Sequence, residues 1–344
     1  WLWPFLRCPV YATPFAAHIL MGKLKEAGLD GEVPVEVRQL GARFDVGPFN
    51  IELITLTHSI PEPNALAIRT PAGCVLHTGD WKFDPNPVIG ETTDTDRLRE
   101  LGDEGILAMV CDSTNVFNPG EAGSEGDVQD SLVDLIAGLK NRVAVACFAS
   151  NVARLSSIAK AARDCGREVA LVGRSMHKMA EAARATGHLD PDIKFVSDTE
   201  IGYLPREKAL LICTGSQGEP RAALAKIATD NHPHVVLDKD DSVVFSSRMI
   251  PGNEKSIARL QNLLAERGIN VITAKDHFIH VSGHPGRDEL AEMYRIARPR
   301  IAIPVHGERR HMEEHAKLAL ECQVSQSIVA PNGSMIRLTD GKAT

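Results

Sequence analysis

The sequence lacks two features that would define its class at once: a long apolar run and a pair of closely spaced cysteines. No apolar run reaches the roughly 18 residues of a membrane-spanning helix. The seven cysteines among 344 residues are scattered, and no Cys-x-x-Cys pair occurs. These absences predict no membrane partner and no structural zinc site built from cysteines. They also predict reduced, buried thiols in a cytoplasmic protein.

The amino end lacks a starting methionine, a basic leader and a cleavage site. It reads WLWPF, which is not a signal peptide, and we expect a fragment of a longer chain. The sequence also contains no internal repeat and no low-complexity tract. At about 150 residues per domain, its length predicts about two domains.

The net charge of −7 argues at first against a polyanionic partner, but the charges are unevenly distributed. Residues 91–130 contain eleven acidic and two basic side chains, whereas residues 151–187 contain seven basic and three acidic ones. A local basic face is what phosphate contact requires. From the charge distribution alone, we interpret the seven basic side chains as members of solvated helix faces. They are Arg154, Lys160, Arg163, Arg167, Arg174, Lys178 and Arg184.

The pattern of apolar residues changes at the acidic, Gly-rich segment Gly120–Gly126. Before it, short strands alternate with turns, which predicts a largely antiparallel sheet. After it, strands alternate with helices, which predicts a parallel sheet covered on both sides. We therefore place a flexible connection and a domain boundary there. The predicted strands are 8–13, 33–40, 49–58, 65–69, 74–77, 106–111, 143–148, 168–173, 209–214, 242–247 and 270–274. The predicted helices are 14–27, 152–165, 175–186, 221–229, 253–267 and one that begins at 287.

Three histidines lie at loop ends beside glycine in the stretch from 277 to 308. His280 and His284 belong to HVSGHPG, a loop that offers backbone N–H groups, a hydroxyl and imidazoles to an anion at a helix start. His306 follows an apolar strand, where α/β sheets place their chemistry. The alternative is that these histidines only cap turns. Their clustering favours a functional site.

Two further side chains lie at strand ends before Gly120. His58 belongs to THSIPE, and Asp80 belongs to TGDWKFD. Imidazole and carboxylate are suitable zinc ligands, and a carboxylate can bridge two metals. Each residue alone is more typical of a turn. Together with His306 they form a candidate ligand set drawn from three strand ends.

Three other patterns have weaker functional interpretations. Ser150 and Asn151 follow a buried strand and are predicted to be helix N-caps, with phosphate binding as the alternative. The turn GSQGEP at 215–220 offers backbone groups to an anion, which is weak evidence alone.

The motif H-x-x-E-H at 311–315 matches a zinc-peptidase helix. We interpret it instead as a solvated helix face, because little room remains for a third ligand.

Eight motifs in order carry a resemblance to a known family: THSIPE, TGDWKFD, DSTN, FASN, CTGSQGEP, SSRMIPGNE, HVSGH and PVHGE. The sequence resembles the ribonuclease J family, the bacterial β-CASP branch of metallo-β-lactamase-fold nucleases, over essentially its whole length. The resemblance implies an α/β fold: a metallo-β-lactamase αββα sandwich, incomplete at the N-terminus, with an inserted β-CASP domain containing a mainly parallel sheet. The implied ranges are 1–122 and 276–344 for the two parts of the metallo-β-lactamase domain, and 123–275 for the β-CASP domain.

The resemblance also implies a function and its partners. It implies a zinc-dependent ribonuclease with 5′–3′ exonuclease and endonuclease activity in RNA processing and decay, acting by attack of metal-activated water on a phosphodiester. Two Zn²⁺ ions are implied, with Mn²⁺ or Mg²⁺ as supporting alternatives. The implied substrate is single-stranded RNA with a 5′-monophosphate, and the implied complete protein is a cytoplasmic homo-oligomer.

The resemblance assigns roles motif by motif. It implies that His58, Asp80 and His306 are metal ligands. It implies that His284 protonates the leaving oxygen and that Asp112 of DSTN is the acidic residue of the first β-CASP motif. The implied substrate-binding residues are His280, Val281, Ser282, Gly283, His284, Ser150 and Asn151.

One departure from the family pattern bears on activity. The family carries an H-x-H-x-D-H motif that supplies most of the remaining metal ligands, and the sequence contains none; the small carboxyl-terminal domain is also missing. We therefore expect impaired metal binding and little hydrolysis. One alternative is a non-catalytic RNA-binding or scaffold module. The other is a small-substrate hydrolase of the same fold, which the long insertion between Asp112 and His280 disfavours.

Overall fold

The computed structural model describes residues 2–339 and 342–343. The helices are α1 (Trp3–Leu6), α2 (Pro14–Glu26), α3 (Thr95–Glu104), α4 (Glu125–Gly138), α5 (Val152–Asp164), α6 (Arg174–Ala185), α7 (Ala223–Ala228), α8 (Glu254–Glu266), α9 (Arg287–Ala297) and α10 (Arg309–Glu321). The strands are β1 (Val10–Ala12), β2 (Val35–Val37), β3 (Arg43–Val46), β4 (Phe49–Thr55), β5 (Asn64–Thr70), β6 (Gly73–His77), β7 (Ile106–Asp112), β8 (Val143–Ala146), β9 (Glu168–Val172), β10 (Ala209–Cys213), β11 (Ser242–Phe245), β12 (Asn270–Ile272), β13 (Ile301–Val305), β14 (Gln326–Ser327), β15 (Leu338–Thr339) and β16 (Lys342–Ala343).

A seven-stranded mixed sheet has the order β14-β13-β7-β6-β5-β4-β3. Strands β3 to β6 pair as antiparallel neighbours, as the turn pattern predicts. Strand β7 pairs parallel with both β6 and β13. Because parallel strands end at the same edge, the segments after β6, β7 and β13 emerge side by side. This edge holds Asp80, Asp112 and His306.

One face of this sheet packs against α3, α9 and α10. Leu98, Leu290, Met293 and Leu318 bury their side chains against the sheet residues of that face. Full burial of such a side chain contributes about 1.5–3 kcal/mol. In the described residues, the sheet and these helices make up one α/β half of the predicted sandwich.

The second sheet has five strands in the order β12-β11-β8-β10-β9, and all its pairs are parallel. Alternate residues of β8 enter two different cores, with Val145 on one face and Ala144 on the other. Helices α4, α5 and α6 cover the first face, and α7 and α8 cover the second. The predicted parallel sheet covered on both sides is therefore confirmed.

The segment Gly120–Gly126 is not the flexible connection that its glycine content predicted. Ser124 donates a hydrogen bond to Oδ1 of Asp84 at 2.6 Å, and the backbone N–H of Glu125 donates to Oδ2 at 2.9 Å. Ser124 also caps α4 by accepting from the N–H of Gly126. Sequence inspection missed α4, because the glycines and acids of its first turn resemble a loop.

The α/β class predicted from the sequence is confirmed. The ranges 1–122, 123–275 and 276–344 stay predictions, and residues 1, 340, 341 and 344 lie outside the described residues. Among the helices that the structure describes, none combines the length and apolar character needed to cross a membrane.

Candidate metal centre

Four side chains meet at the edge of the mixed sheet. Asp80, Asp112, His284 and His306 each direct one ligand-capable atom into a common space, and these atoms all lie within 4.8 Å of one another. Asp80 follows β6, Asp112 ends β7, His284 precedes α9 and His306 follows β13. The structure thus brings together two residues predicted as metal ligands and two predicted as catalytic.

Strand register places these residues. Asp112 pairs with Val305 across β7 and β13, so His306 lies one residue past the pair. The loop that carries His284 is held by Asn115, whose side-chain amide donates to Oγ of Ser282 at 2.7 Å and to the carbonyl of His284 at 3.0 Å. The DSTN segment therefore supplies one acid and also anchors a distant loop.

Asp112 and His284 form a hydrogen-bonded pair. Nδ1 of His284 donates to Oδ2 of Asp112 at 2.6 Å, and the Asp112 side chain is fully buried. Burial alone would raise the pKa of Asp112, but the hydrogen bond from His284 and the nearby His306 imidazole outweigh it and hold the pKa well below its usual range. Asp112 is therefore a carboxylate, and the Nε2 atom of His284 remains available.

His306 lies near Thr114 and near the carboxylates of Asp80 and Asp112. Its Nδ1 lies 2.6 Å from Oγ1 of Thr114, which donates its own proton to Asp112. Its Nε2 lies 3.6 Å from Oδ1 of Asp80. The interaction with the Asp112 carboxylate, whose Oδ1 lies 3.6 Å from Nδ1, raises the pKa of His306 to about 9 against the opposing effect of burial. The left-handed backbone of His306, with φ of 58°, turns the chain sharply at this point.

His58 lies beside the four-residue group but is not one of its members. Its Nδ1 donates to the carbonyl of Gly283 at 2.5 Å, and its ring centroid lies 5.1 Å from that of His284. Burial is the main cause that lowers the pKa of His58. A Cβ atom at position 283 would lie 2.6 Å from the His58 ring, so only glycine allows this approach.

The donor set fits a divalent metal. Carboxylate oxygens and imidazole nitrogens suit borderline metals such as zinc and manganese. In His58, His284 and His306, Nδ1 is engaged within the protein. A hydrogen bond made by the other ring nitrogen is typical of histidines that bind metal through Nε2, because it fixes the orientation of the ring.

The HVSGH loop offers fewer free groups than its sequence predicted. Val281 is buried and faces Gly123. His280 packs beside Arg154, with 3.5 Å between its Nδ1 and a guanidinium nitrogen, and burial followed by that charge lowers the pKa of His280 to about 3. His280 is therefore neutral near pH 7, so it can offer a hydrogen bond to a phosphate but no positive charge.

Ser150 and Asn151 lie at the start of α5. Asn151 is its N-cap, accepts from the N–H of Arg154 at 2.8 Å and donates toward Glu125 at 3.4 Å. The structure therefore shows Asn151 as a helix cap, and both polar atoms of its side chain form hydrogen bonds within the protein. Ser150 is exposed. A substrate contact by either residue stays a prediction.

Arg154 does not lie on a solvated helix face, so that interpretation was wrong. Its guanidinium is fully buried and forms a two-point ion pair with Glu125. It also donates to Oγ of Ser246 at 2.6 Å and to the carbonyl of Ile279 at 2.9 Å, just before the HVSGH loop. Helical periodicity alone cannot reveal such a role, because every partner is distant in sequence.

Glu289 is a second residue that sequence inspection missed. Its buried carboxylate accepts from the backbone N–H groups of Phe83, Ala122 and Gly286, each at 2.7 Å. These three groups belong to separate loops, two of which carry Asp80 and His284. One sequence signal could have identified Glu289. It is the third residue of a helix that follows Pro-Gly, and an acid at this position commonly accepts a hydrogen bond from the backbone N–H at the helix start.

The H-x-x-E-H motif of α10 is not wholly solvated, which corrects a second interpretation. His315 is fully buried between Oγ of Ser113 at 2.9 Å and the Tyr294 hydroxyl at 2.8 Å. Burial lowers the pKa of His315 to about 4. Both ring nitrogens are engaged, so this histidine supports the segment after Asp112 and is not a ligand.

Two family models match the chain. One, described as the beta-CASP domain of ribonuclease J, matches residues 140–264. The other, described as a Zn-dependent metallo-hydrolase RNA specificity domain, matches residues 268–325. The second description and the four-residue group together support a metal cofactor.

Several curated proteins are similar along nearly the whole chain. A ribonuclease J of Sinorhizobium meliloti is 48% identical over 99% of this chain and 61% of its own length. A ribonuclease J of Corynebacterium glutamicum is 40% identical over 97% of this chain and 47% of its own length. A ribonuclease J 1 of Streptococcus pyogenes is 39% identical over 99% of this chain and 62% of its own length. The chain therefore spans about half to three fifths of these relatives.

A solved structure of a protein of unknown function from Enterococcus faecalis has a similar fold. Its TM-score is 0.64 at 16% identity, over 95% of this chain and 75% of that one. This similarity concerns the fold alone. The two family models and the extended identity to ribonucleases J together establish that the chain belongs to the ribonuclease J family.

Proposed function

We propose that this chain is part of a metal-dependent ribonuclease that hydrolyses RNA phosphodiester bonds, with both 5′–3′ exonuclease and endonuclease activity. The observation that carries the proposal is the convergence of Asp80, Asp112, His284 and His306 within 4.8 Å at one sheet edge. These residues come from four separate segments. Asp80 and His306 remain partly open to solvent, which leaves access for a substrate.

We assign Asp80, His306 and His58 to metal binding, the last through its Nε2 atom. Zinc is the metal that we propose, because nitrogen and carboxylate donors suit it. When bound, a divalent metal polarises a phosphate oxygen and makes water a better nucleophile near neutral pH.

His284 is the proposed general acid. Because Nδ1 is committed to Asp112, a second proton of the ring resides on Nε2, which can donate it to the departing 3′ oxygen. The buried Asp112 carboxylate orients the ring. His284 and Asp112 also carry atoms suited to metal binding, as members of the four-residue group. A test of the general-acid role must therefore separate proton transfer from metal binding.

The proposed substrate is single-stranded RNA with a 5′-monophosphate. The loop from Ser282 to His284 lies beside the metal centre, and its Ser282 hydroxyl is positioned by Asn115. Arg248, an exposed residue of the β-CASP region, also bonds to Asn115. A basic side chain thus stands next to the loop where a phosphate would pass.

Metal analysis combined with RNA cleavage tests this function. We expect Asp80→Ala and His306→Ala to lose bound metal and to lose hydrolysis of a 5′-monophosphorylated RNA. His177→Ala, which changes an exposed histidine of α6, is the matched control and should retain both. Metal content and cleavage that are unchanged in the first two variants would contradict the assignment.

A second candidate is a non-catalytic RNA-binding module. The observation in its favour is that the sequence contains no H-x-H-x-D-H motif. We expect this 344-residue chain by itself to bind metal incompletely and to cleave RNA weakly. RNA binding that is independent of metal, with no cleavage in any condition, would favour the module, whereas two bound zinc ions and full turnover would exclude it.

Two further properties of the complete protein are proposals that rest on the sequence and the family resemblance. We propose that it is a homo-oligomer and that it is cytoplasmic. Light scattering of the purified full-length protein and fractionation of the producing cells would test them.

A further inference from the structure

An exposed aromatic ring lies in the segment that follows Asp112 of the candidate metal centre. Phe117 is 51% exposed, whereas its neighbour Val116 is fully buried. It lies five residues after Asp112, in the segment that also contains Thr114 and Asn115. Isolated exposed hydrophobic residues are common on protein surfaces, so the surroundings of this ring decide what it means.

The segment that carries Phe117 is fixed on both sides. Asn115 is bonded to Ser282 and to the carbonyl of His284. The carbonyl of Asn118 accepts the N–H of Arg287 at 2.9 Å, at the first residue of α9. The backbone on both sides of Phe117 is therefore fixed by the same contacts that organise the centre, which lowers the entropy cost of using this segment as a binding surface.

A short series of contacts connects the ring to His306. Gly307 follows His306, and a Cβ atom at Gly307 would lie 2.8 Å from Cβ of His311. The His311 ring packs edge-on against Phe117, with 5.2 Å between the centroids and an interplanar angle of 65°. Through His311, Phe117 is therefore connected to the turn at Gly307, directly after His306.

A positive charge accompanies the ring. The guanidinium carbon of Arg310 lies 5.7 Å from the centroid of Phe117. The Arg310 side chain is 72% exposed, and its Nε lies 3.2 Å from the equally exposed carboxylate of Glu308, so the ion pair is open to solvent. An accessible aromatic face beside a cation suits a flat π-system attached to a negatively charged backbone. That combination describes a nucleotide of a single-stranded nucleic acid.

We propose that Phe117, supported by Arg310 and His311, is a stacking site for a nucleobase adjacent to the scissile phosphate. This inference rests on the proposed ribonuclease function and adds a substrate contact to it. Stacking does not read base edges, so the site would take any of the four bases. It would hold the strand in line with the metal centre.

Binding of a hydrolysis-resistant phosphorothioate oligoribonucleotide to the metal-loaded protein tests the proposal. Phe117→Ala should weaken binding about tenfold, since one base–aromatic stack is typically of that size. Phe117→Trp should retain binding, and Phe117→Leu should resemble Phe117→Ala. Tyr203→Ala, which removes another exposed aromatic ring, is the matched control and should bind like the wild type. Thermal unfolding of each variant checks that it is folded.

An abasic site moved along the oligoribonucleotide locates the contact. At one position near the scissile phosphate, the wild type and Phe117→Ala should bind the abasic oligoribonucleotide equally. Stacking is overturned if Phe117→Leu binds as tightly as the wild type, or if no abasic position abolishes the difference. If the wild type binds RNA and Phe117→Ala binds it equally well, the stacking site is wrong and the ribonuclease proposal stands. If the wild type binds no RNA, both are overturned.

Discussion

Nδ1 of His284 lies 2.6 Å from Oδ2 of Asp112, although the two residues are 172 positions apart. The carboxylate is fully buried and the imidazole is partly exposed. A buried carboxylate that accepts from Nδ1 selects the tautomer and the orientation of the imidazole. This pair connects β7 to the loop before α9.

Replacement of the carboxylate by an amide tests the pair. In Asp112→Asn, a neutral amide replaces the carboxylate that accepts from Nδ1 and orients the His284 ring, so we expect RNA hydrolysis to fall about a hundredfold or more. Metal content measured in parallel separates proton transfer from ligand loss. Asp127→Asn, an exposed acid in the first turn of α4, should leave the rate unchanged. A normal rate with normal metal content in Asp112→Asn would remove His284 from the reaction.

The contact between Gly283 and His58 makes a second prediction. In Gly283→Ala, the new methyl group would lie 2.6 Å from two atoms of the His58 ring. We expect the ring to be displaced, with weaker metal binding in a titration. Gly22→Ala is the control, because it adds a methyl to an exposed position of α2 with nothing within 4 Å. Gly22→Ala should stabilise the protein by up to about 1 kcal/mol. Unchanged metal affinity in Gly283→Ala would show that His58 is not a ligand.

The buried ion pair between Arg154 and Glu125 makes a third prediction. Loss of one partner leaves an uncompensated buried charge, so Arg154→Met should lower the free energy of unfolding by about 3–5 kcal/mol. The double variant Arg154→Met/Glu125→Leu should recover part of that loss. Urea unfolding measures both. A double variant no more stable than Arg154→Met would mean that the contacts of Arg154 with Ser246 and Ile279 dominate.

A fourth prediction concerns acid stability. Hydrogen bonds from Arg97 are the main cause that lowers the pKa of Glu52 from its ordinary 4.5, against the effect of burial and with help from Arg69. A carboxyl with a lowered pKa contributes stability above its unfolded pKa and loses it as the pH falls through the folded value. The stability advantage of the wild type over Glu52→Gln should therefore be full near pH 7 and shrink below about pH 4.5.

Unfolding measured from pH 7 to pH 3 checks this dependence. Glu168→Gln changes an exposed glutamate of β9 and serves as the control, because its difference from the wild type should stay nearly constant. A Glu52→Gln difference that grows toward acid pH would contradict the assigned sign.

Local sequence patterns determined most of the secondary structure and singled out three of the four residues of the centre, Asp80, His284 and His306. The periodicity of apolar residues predicted the parallel sheet, and Pro-Gly before Arg287 predicted the start of α9. His306 was predicted just past the end of a strand and lies there. These features depend on neighbours a few residues apart, which the sequence displays directly.

Tertiary structure alone decided which groups are buried and which meet. Arg154 and His315 look like members of solvated helix faces, yet partners distant in sequence enclose them. The order β6-β7-β13 brings Asp80, Asp112 and His306 to one edge, and no local pattern encodes that order. Long-range pairing is set by the packing of the whole sheet, so the sequence by itself could name the groups of the centre but could not assemble them.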